Sequence, residues 1–180
     1  MIRGRRVQLR PVEEDDVPLI LRWQNSPAVW WDMDYERPSS VEDLREELAT
    51  ARQDGHPFLI TVDGRQIGRV GLDGFRRRDR ICSLYLYVGE PAFRGQEHEL
   101  DAVMTLLGYA FSRLDLHQVE LRTLATNHLV LEASGRCGFV REATLRQRSF
   151  QDGEWVDHVV MSVNRDEFAE ARARWDGEGG

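Results

Sequence analysis

"ICSLYLYVGEPAFRGQEHELDAVMTLLGYAF", residues 81–111, carries in succession the signals of a strand, a turn and a long helix. Residues 81–88 are aromatic and aliphatic, which favours a buried strand. The helix is predicted to run to about residue 113, with one apolar stripe made of Leu100, Val103, Leu107, Ala110 and Leu114. Another strand is predicted at residues 117–124. Strand, helix and strand in this order are typical of a parallel crossover, so the stretch predicts an α/β sheet.

The rest of the chain adds strands and helices around this unit. An alternating first strand is predicted near residues 5–12, and Asp-Gly pairs at 63–64 and 152–153 predict two hairpins. Helices are predicted at about 15–25, from a capping box of Ser39 and Glu42 to about 53, and after Asn127. Residues 29–38 are predicted to be irregular. Residues 1–165 are expected to form one domain, followed by a charged tail, 166–180, that forms one more helix.

Composition excludes several classes of function. The chain has 180 residues and a net charge of −7, which disfavours a nucleic-acid partner. No segment is apolar enough for a signal peptide or a membrane span, so a cytoplasmic protein is expected. Two cysteines, Cys82 and Cys137, form no disulfide framework or metal motif. The sequence "HELDA" lacks the second histidine of a zinc motif, because that position is Ala102, and no metal site is expected.

The turn before the long helix has the features of an anion site. Arg94, Gly95 and Gln96 precede a helix N-terminus, where free amides and the helix dipole attract phosphates. Glu97 and Glu99 then occupy positions where small residues would suit a phosphate better. Their carboxylates would repel a diphosphate by about 1 kcal/mol after screening. Acids are also favoured in a first helical turn, so side chains pointing away from the cradle and side chains filling it both remain open.

With these features the chain resembles the GNAT superfamily of acyl-CoA-dependent N-acyltransferases. Arg94-Gly95-Gln96 matches the start of the family's Q/R-x-x-G-x-G/A pyrophosphate loop, and Asn127 is followed eleven residues on by Gly138-Phe139, a second family landmark. The segments "VQLRPVEEDDVPLILRWQN" and "GEWVDHVVMSV" also resemble the family's first and last segments. The resemblance covers roughly residues 5–165. It implies a GNAT fold, with a mixed, mostly antiparallel sheet of about six to seven strands and flanking helices.

The resemblance also implies direct transfer of an acyl group from acetyl-CoA, or another acyl-CoA, to an amine. The cofactor would contact the strand end at Tyr87, Val88 and Gly89, whose backbone supplies a donor to the thioester carbonyl at a bulge. It would also contact residues 94–99, including His98, and Asn127; capping of the following helix is the alternative role for Asn127. Ser134 stands where many relatives have a tyrosine that protonates the departing thiolate.

The acceptor side is expected to combine the loop after the first helix with the last hairpin. Trp30, Trp31, Asp32 and Tyr35 would bind a cationic amine by cation–π contact and charge pairing, although capping of the core is the alternative role for the tryptophans. The candidate bases are Asp34 and Glu36, followed by Glu90.

The expected partner is a small amine such as a polyamine or an aminoglycoside. A peptide N-terminus, acetylated as by ribosomal-protein acetyltransferases, is an alternative acceptor. A non-catalytic binding protein that has lost the CoA loop is an alternative function, favoured by Glu97, Glu99 and Ser134. A homodimer is compatible with the sequence.

Overall fold

A computed structural model describes residues 1–33, 35–95 and 97–178 of the chain, and within them one sheet of eight strands is flanked by six α-helices. The strands are β1 (Ile2–Arg3), β2 (Gln8–Pro11), β3 (His56–Val62), β4 (Arg65–Arg76), β5 (Ile81–Val88), β6 (Gln118–Leu124), β7 (Val140–Gln151) and β8 (Glu154–Asn164). The α-helices are α1 (Val17–Gln24), α2 (Pro27–Met33), α3 (Val41–Asp54), α4 (Glu97–Ser112), α5 (His128–Arg136) and α6 (Arg165–Glu178). Short 3-10 turns cover Glu14–Asp16 and Pro91–Phe93.

The sheet has the order β1-β2-β3-β4-β5-β6-β8-β7, and its single parallel pair in the described chain is β5–β6. The crossover through α4 is therefore confirmed. Pairing between β5 and β6 is limited to Ile81–Ser83 against Gln118–Glu120, so the two strands diverge toward their carboxyl ends. The eighth strand, beyond the six or seven expected, is the two-residue β1, which is too short to be recognised from its pattern.

Turn chemistry explains the two hairpins. Asp63 and Gly64 have φ angles of 48° and 79°, and Asp152 and Gly153 have 49° and 87°. Positive φ at both central residues is typical of the type I′ turn, whose twist matches that of paired strands. The predicted Asp-Gly turns are confirmed.

Two local predictions were wrong. The box at the start of α3 is made by Ser40 and Asp43, one residue beyond the predicted pair of Ser39 and Glu42: Ser40 Oγ accepts from the Asp43 amide at 3.1 Å, and Asp43 Oδ2 accepts from the Ser40 amide at 2.8 Å. Residues 27–33 form α2 rather than irregular chain, with Pro27 at the first position, where the missing N–H has no cost. Ser26 precedes this helix, and its carbonyl accepts from the Trp30 amide at 2.9 Å.

Helices cover both faces of the sheet. One core cluster contains the apolar side of α4 together with Val119, Val159 and Val163 of the sheet, and a second cluster lies under α1, α2 and α3. Asp101 of α4 is buried, and its carboxylate accepts hydrogen bonds from the amides of Arg5, Arg6 and Val7 at 3.0, 2.6 and 2.9 Å. This contact fastens the N-terminal turn to the crossover helix. Among the described residues, no helix combines the length and apolarity needed to cross a membrane.

Candidate active site

The divergence of β5 from β6 opens a cleft beside the last residues of β5. Gly68 and Val88 are cross-strand partners, and the next amide, that of Gly89, donates to the Ile67 carbonyl at 2.8 Å. This pattern makes Gly68–Val88 a non-hydrogen-bonded pair, in which the backbone N–H and C=O groups point away from the partner strand. The Val88 amide therefore points into the cleft, where it can donate to a carbonyl oxygen.

The strand end contains a bulge at Gly89 and Glu90, one residue beyond the position at Val88 and Gly89 that the family resemblance implied. The amides of Gly89 and Glu90 both donate to the Ile67 carbonyl, at 2.8 and 3.0 Å, and two residues facing one is the mark of a bulge. The Gly89 amide is thus engaged, which leaves Val88 as the donor. Gly89 is required here because a Cβ would lie 2.1 Å from the indole ring of Trp23. Tyr87 is buried, and burial raises the pKa of its phenol; it lies opposite Arg69 in the adjoining hydrogen-bonded pair, so its backbone groups point to β4 and not into the cleft.

The predicted phosphate loop lies across the same cleft. Arg94 donates from Nε to the Val88 carbonyl at 2.8 Å, which holds its guanidinium beside the strand end. Gly95 has a φ of +66°, and nothing lies within 4 Å of the position that a Cβ would take. An open left-handed glycine before a sixteen-residue helix is a suitable cradle for a phosphate. Gln96, predicted to take part, lies outside the described residues.

The side chains at the start of α4, Glu97, His98 and Glu99, have different surroundings. Glu97 pairs with Arg136 of α5, with Oε1 and Nη1 3.0 Å apart, so its charge is compensated by the neighbouring helix. His98 packs edge-on against Phe93 with ring centroids 5.4 Å apart, and its buried Nδ1 has no hydrogen-bond partner in the described chain. Glu99 is partly buried in the first turn of α4. The residues of this loop fit a diphosphate, with Arg94 and Arg136 as the flanking cations.

The second landmark borders the mouth of the cleft. Asn127 follows the end of β6, and its Oδ1 accepts from the Val130 amide at 3.2 Å, which makes it the N-cap of α5. Ser134 lies two turns further along α5 and is 7% exposed. Gly138 has a φ of +94°, and a Cβ there would lie 2.8 Å from the Glu167 carbonyl, so the α6 backbone requires glycine at this landmark.

A cavity of about 800 Å³ lies between α2 and the β7–β8 hairpin. Its walls include four aromatic side chains, Trp30, Trp31, Tyr35 and Phe150. Polar residues also line it, among them Glu36, Arg148, Ser149 and Gln151. Gln151 Nε2 donates to the Trp31 carbonyl at 3.3 Å, which ties the hairpin to α2. Since α2 contacts both β5 and β6, the cavity adjoins the mouth of the cleft.

The aromatic wall is held by hydrogen bonds behind it. Trp30 Nε1 donates to the Tyr35 carbonyl, and Gln24 Nε2 donates to the Tyr35 hydroxyl at 3.2 Å. Burial, reinforced by the Glu47 carboxylate, raises the pKa of Tyr35 to about 12, so this phenol stays neutral. Because Trp30 and Trp31 both line the cavity, they do more than close the core; Trp31 is 46% exposed.

The predicted bases have different surroundings. Glu90 accepts from Arg22, Trp23 and Arg65 at 2.6, 2.9 and 2.8 Å, and the indole hydrogen bond followed by these cations lowers its pKa. Such a carboxylate is a poor proton acceptor. Asp32 lies 3.9 Å from Arg94, and partial burial raises its pKa although that cation opposes the rise. Glu36 is exposed at the cavity, and Asp34 lies outside the described residues.

Neither cysteine offers a nucleophile. Cys82 and Cys137 are both buried, and burial raises the pKa of each thiol to about 12. In the described part of the chain, no three His, Cys, Asp or Glu side chains are grouped to hold a metal ion. The geometry suits direct attack on a thioester held at the Val88 amide.

Several residues of the cavity were not identified from the sequence. The last hairpin was expected at the acceptor side, but its individual contributors, Arg148, Ser149 and Phe150, were not named. Their positions depend on a β7 irregularity between Leu145 and Ser149, which leaves no mark in the alternation of apolar residues. A signal that could have pointed to Phe150 is the pair of aromatic residues that flanks the Asp-Gly turn, Phe150 on β7 and Trp155 on β8. Both side chains are exposed in the structure.

Comparisons with known proteins agree with this geometry. The profile described as "Acetyltransferase (GNAT) domain" matches residues 6–140. The "Probable N-acetyltransferase YjcK" of Bacillus subtilis is 24% identical over 174 residues, covering 91% of this chain and 96% of the relative. The spermidine N(1)-acetyltransferase of Vibrio cholerae is 23% identical over 163 residues, covering 89% and 94%. The crystal structure of the Vibrio cholerae spermidine N-acetyltransferase with CoA and spermine superposes with a TM-score of 0.85 at 22% identity, covering 91% and 98%.

Proposed function

The chain belongs to the GNAT family of acetyltransferases, and on that premise we propose that it transfers the acetyl group of acetyl-CoA to a primary amine of a small cationic molecule, such as a polyamine or an aminoglycoside. The observation that supports this class of acceptor is the cavity beside the opening between β5 and β6, whose walls include Trp30, Trp31, Tyr35 and Phe150. Aromatic faces bind ammonium groups with about 0.5–2 kcal/mol each, depending on exposure.

The donor side of the proposal rests on four features. Arg94 and the amides at the start of α4 would hold the diphosphate of the co-substrate, and Gly95 leaves room for its close approach. The Val88 amide would donate to the thioester carbonyl, where negative charge develops during attack. Acetyl-CoA supplies the activated acyl group. No enzyme nucleophile is needed, which agrees with the two inert thiols.

Charge at the cavity is mixed. Glu36 lines the cavity, and Asp32 of α2 lies 3.9 Å from Arg94 and is not part of the lining. Arg148 also lines the cavity and opposes a cation at its own position. A long amine could direct its distal ammonium toward Glu36 and the tryptophans, away from Arg148. The similar sequence and the similar crystal structure from Vibrio cholerae are both named for spermidine acetylation, which is consistent with this acceptor class.

The proposal is tested by release of CoA thiol in the presence of acetyl-CoA and one acceptor at a time. The acceptors are spermidine, spermine, an aminoglycoside and a short peptide with a free N-terminus. We expect turnover with at least one of the small polycations, with a KM below that for the peptide. Turnover with the peptide alone would refute the proposed acceptor and favour the N-terminal protein acetyltransferase.

A matched pair of variants tests the aromatic wall. Trp31→Leu removes one ring from the cavity and should raise the KM for the polycation about fivefold or more, equivalent to about 1 kcal/mol. Trp175→Leu makes the same exchange on α6, where the indole contacts Arg5 instead, and should leave KM unchanged. Equal effects of the two exchanges would show that the cavity is not the acceptor site. Absence of calorimetric heat at millimolar acetyl-CoA would favour the non-catalytic alternative.

A further inference from the structure

Ser149 and His158 form a close side-chain pair at the wall of the acceptor cavity. Ser149 Oγ and His158 Nε2 are 2.6 Å apart, which is a short hydrogen bond between facing strands. Ser149 is 7% exposed and lines the cavity, whereas His158 is half-buried behind it. The hydroxyl therefore lies between the cavity and the imidazole.

The backbone of β7 is shaped so that this pair can form. Leu145 lies opposite His158, and regular antiparallel pairing would then place Gln147 opposite Val156. Two extra residues in β7 instead bring Ser149 opposite Val156, diagonal to His158. Gln147 takes a φ of +51°, unusual for a non-glycine residue, and its amide donates to Asp157 Oδ1 at 2.8 Å. This irregularity in β7 thus places Ser149 within hydrogen-bond distance of His158.

The pair lies next to the place where acyl transfer would occur. His158 is the cross-strand partner of Leu124, the last residue of β6, which has already separated from β5 at that level. The hairpin that carries Ser149 is tied to α2 through Gln151 and the Trp31 carbonyl. Cavity, strand end and Ser149–His158 pair therefore share one face of the sheet.

We propose that Ser149 is a catalytic residue that takes the proton of the acceptor's ammonium group and passes its own hydroxyl proton to His158, which acts as a positioning and proton-storing residue. This assignment rests on the proposed function. The first proton passes from the ammonium group through Ser149 to His158 Nε2, and the neutral amine nitrogen then attacks the thioester carbonyl carbon to form the C–N bond. As the C–S bond breaks, the sulfur leaves with the electron pair and takes the second proton that the nitrogen loses, so the products are the N-acetyl amine and the CoA thiol. A neutral imidazole is suited to this task near neutral pH, because its ordinary pKa is about 6.5.

Of the candidate bases, Glu90 is less suited by its contacts, because it is already held by an indole and two guanidinium groups. Asp32, expected to bind the substrate, is beside Arg94, and Glu36 lines the same cavity as Ser149. The charged groups that share the face of His158, or border its cavity, are Glu120 and Arg122 of β6, Glu142 and Arg148 of β7, Asp157 beside it on β8, and Asp32 and Glu36 from the α2 side. Glu36 and Arg148 line the cavity that the pair borders, whereas Glu120 lies four residues away along the strand, opposite Ser162, and pairs with Arg76.

The test compares His158→Gln, Ser149→Ala and Ser149→Thr with the matched control His117→Gln, an exposed histidine at the other end of β6. The rate constant kcat/KM for the best polycation is measured from pH 5.5 to pH 10 at saturating acetyl-CoA. In the wild type and in His117→Gln we expect an acid limb, that is, a fall in kcat/KM at low pH caused by protonation of the His158 imidazole. His158→Gln should lose that limb and about a hundredfold in rate near pH 7. The deficit should shrink toward pH 10, where the free amine is more abundant, and a purely structural defect would not show this recovery.

A second readout does not require turnover. Nitrogen NMR of the wild type with labelled histidine should show the His158 signals shift on addition of spermidine without acetyl-CoA, and Ser149→Ala should remove most of that response. Ser149→Thr keeps a hydroxyl and should retain the acid limb. A pH-independent loss shared by all three variants, or an unchanged limb in His158→Gln, would overturn the assignment. Wild-type protein that acetylates no amine would remove the proposed function and this inference with it, whereas active wild type with unaffected variants would remove the inference alone.

Discussion

Replacing Glu97 by glutamine should tighten the binding of CoA. Glu97 is at the start of α4, beside the open cradle at Gly95, and its carboxylate pairs with Arg136 at 3.0 Å. Both side chains are nearly half exposed, at 42% and 46%, so the pair contributes little to stability. In Glu97→Gln, Arg136 keeps its full charge for the phosphates, and one negative charge is removed from their vicinity.

The magnitude follows from Coulomb's law. At about 6 Å, two unit charges interact by about 0.7 kcal/mol in water and about 2.8 kcal/mol at an effective dielectric constant of about 20. Screening at physiological salt, with a Debye length of about 8 Å, reduces both values by roughly half. The expected gain of about 0.3–1.3 kcal/mol corresponds to a dissociation constant lower by roughly two- to tenfold.

The assay is calorimetric titration of CoA into the wild type, Glu97→Gln, Arg136→Gln and the double variant. Arg136→Gln should weaken binding by a similar factor, because Glu97 is then uncompensated, and the double variant should lie near the wild type. Glu46→Gln on the exposed side of α3 controls for the change in net charge. The differences should grow at low salt. An affinity of Glu97→Gln that equals that of Glu46→Gln at low salt would refute the reasoning, since the ion pair would then not border the phosphates.

Three further predictions concern stability and pH. Asp101→Asn should lower the free energy of unfolding by about 2–3 kcal/mol, because the amides of the N-terminal turn lose a charged acceptor. Its thermal unfolding should occur at least about 4 °C lower, whereas the surface exchange Asp79→Asn should leave the unfolding temperature unchanged. Glu47→Ala should lower the free energy of unfolding by about 2–3 kcal/mol, because it leaves buried Arg69 without this ion pair at a site that water can reach past the 42% exposed Glu47 side chain. Arg69→Met should stay within about 1 kcal/mol of the wild type in urea unfolding, and equal losses would contradict this. Glu90 has a lowered pKa in the folded state. Its contribution to the free energy of unfolding is therefore present above the ordinary pKa of glutamate and is lost as pH falls through the folded-state pKa. The stability difference between wild type and Glu90→Gln should therefore be largest near pH 7 and nearly vanish near pH 2; a constant difference would show that the contacts act without the charge.

Local signals in the sequence were sufficient for most of the architecture. The strand at 81–88 follows from its aromatic and aliphatic residues, and both Asp-Gly turns follow from the φ angles that glycine and aspartate permit. The start of α3 was displaced by one residue because Ser39 and Ser40 are both capable caps, and only the hydrogen bonds distinguish them. Helix α2 was missed because its aromatic residues lack a clear period of 3.6 and its first residue is proline.

The candidate site shows where local signals end. From its own residues the chain determined a turn at Arg94 and Gly95 before the N-terminus of α4, because glycine at positive φ before a helix is a property of neighbouring residues. Only the tertiary structure decided that Glu97 meets Arg136, that Val88 rather than Gly89 offers the amide, and that Ser149 lies against His158. Those outcomes depend on strands and helices far apart in the chain, whose side-chain directions are set by register, a β7 irregularity and packing.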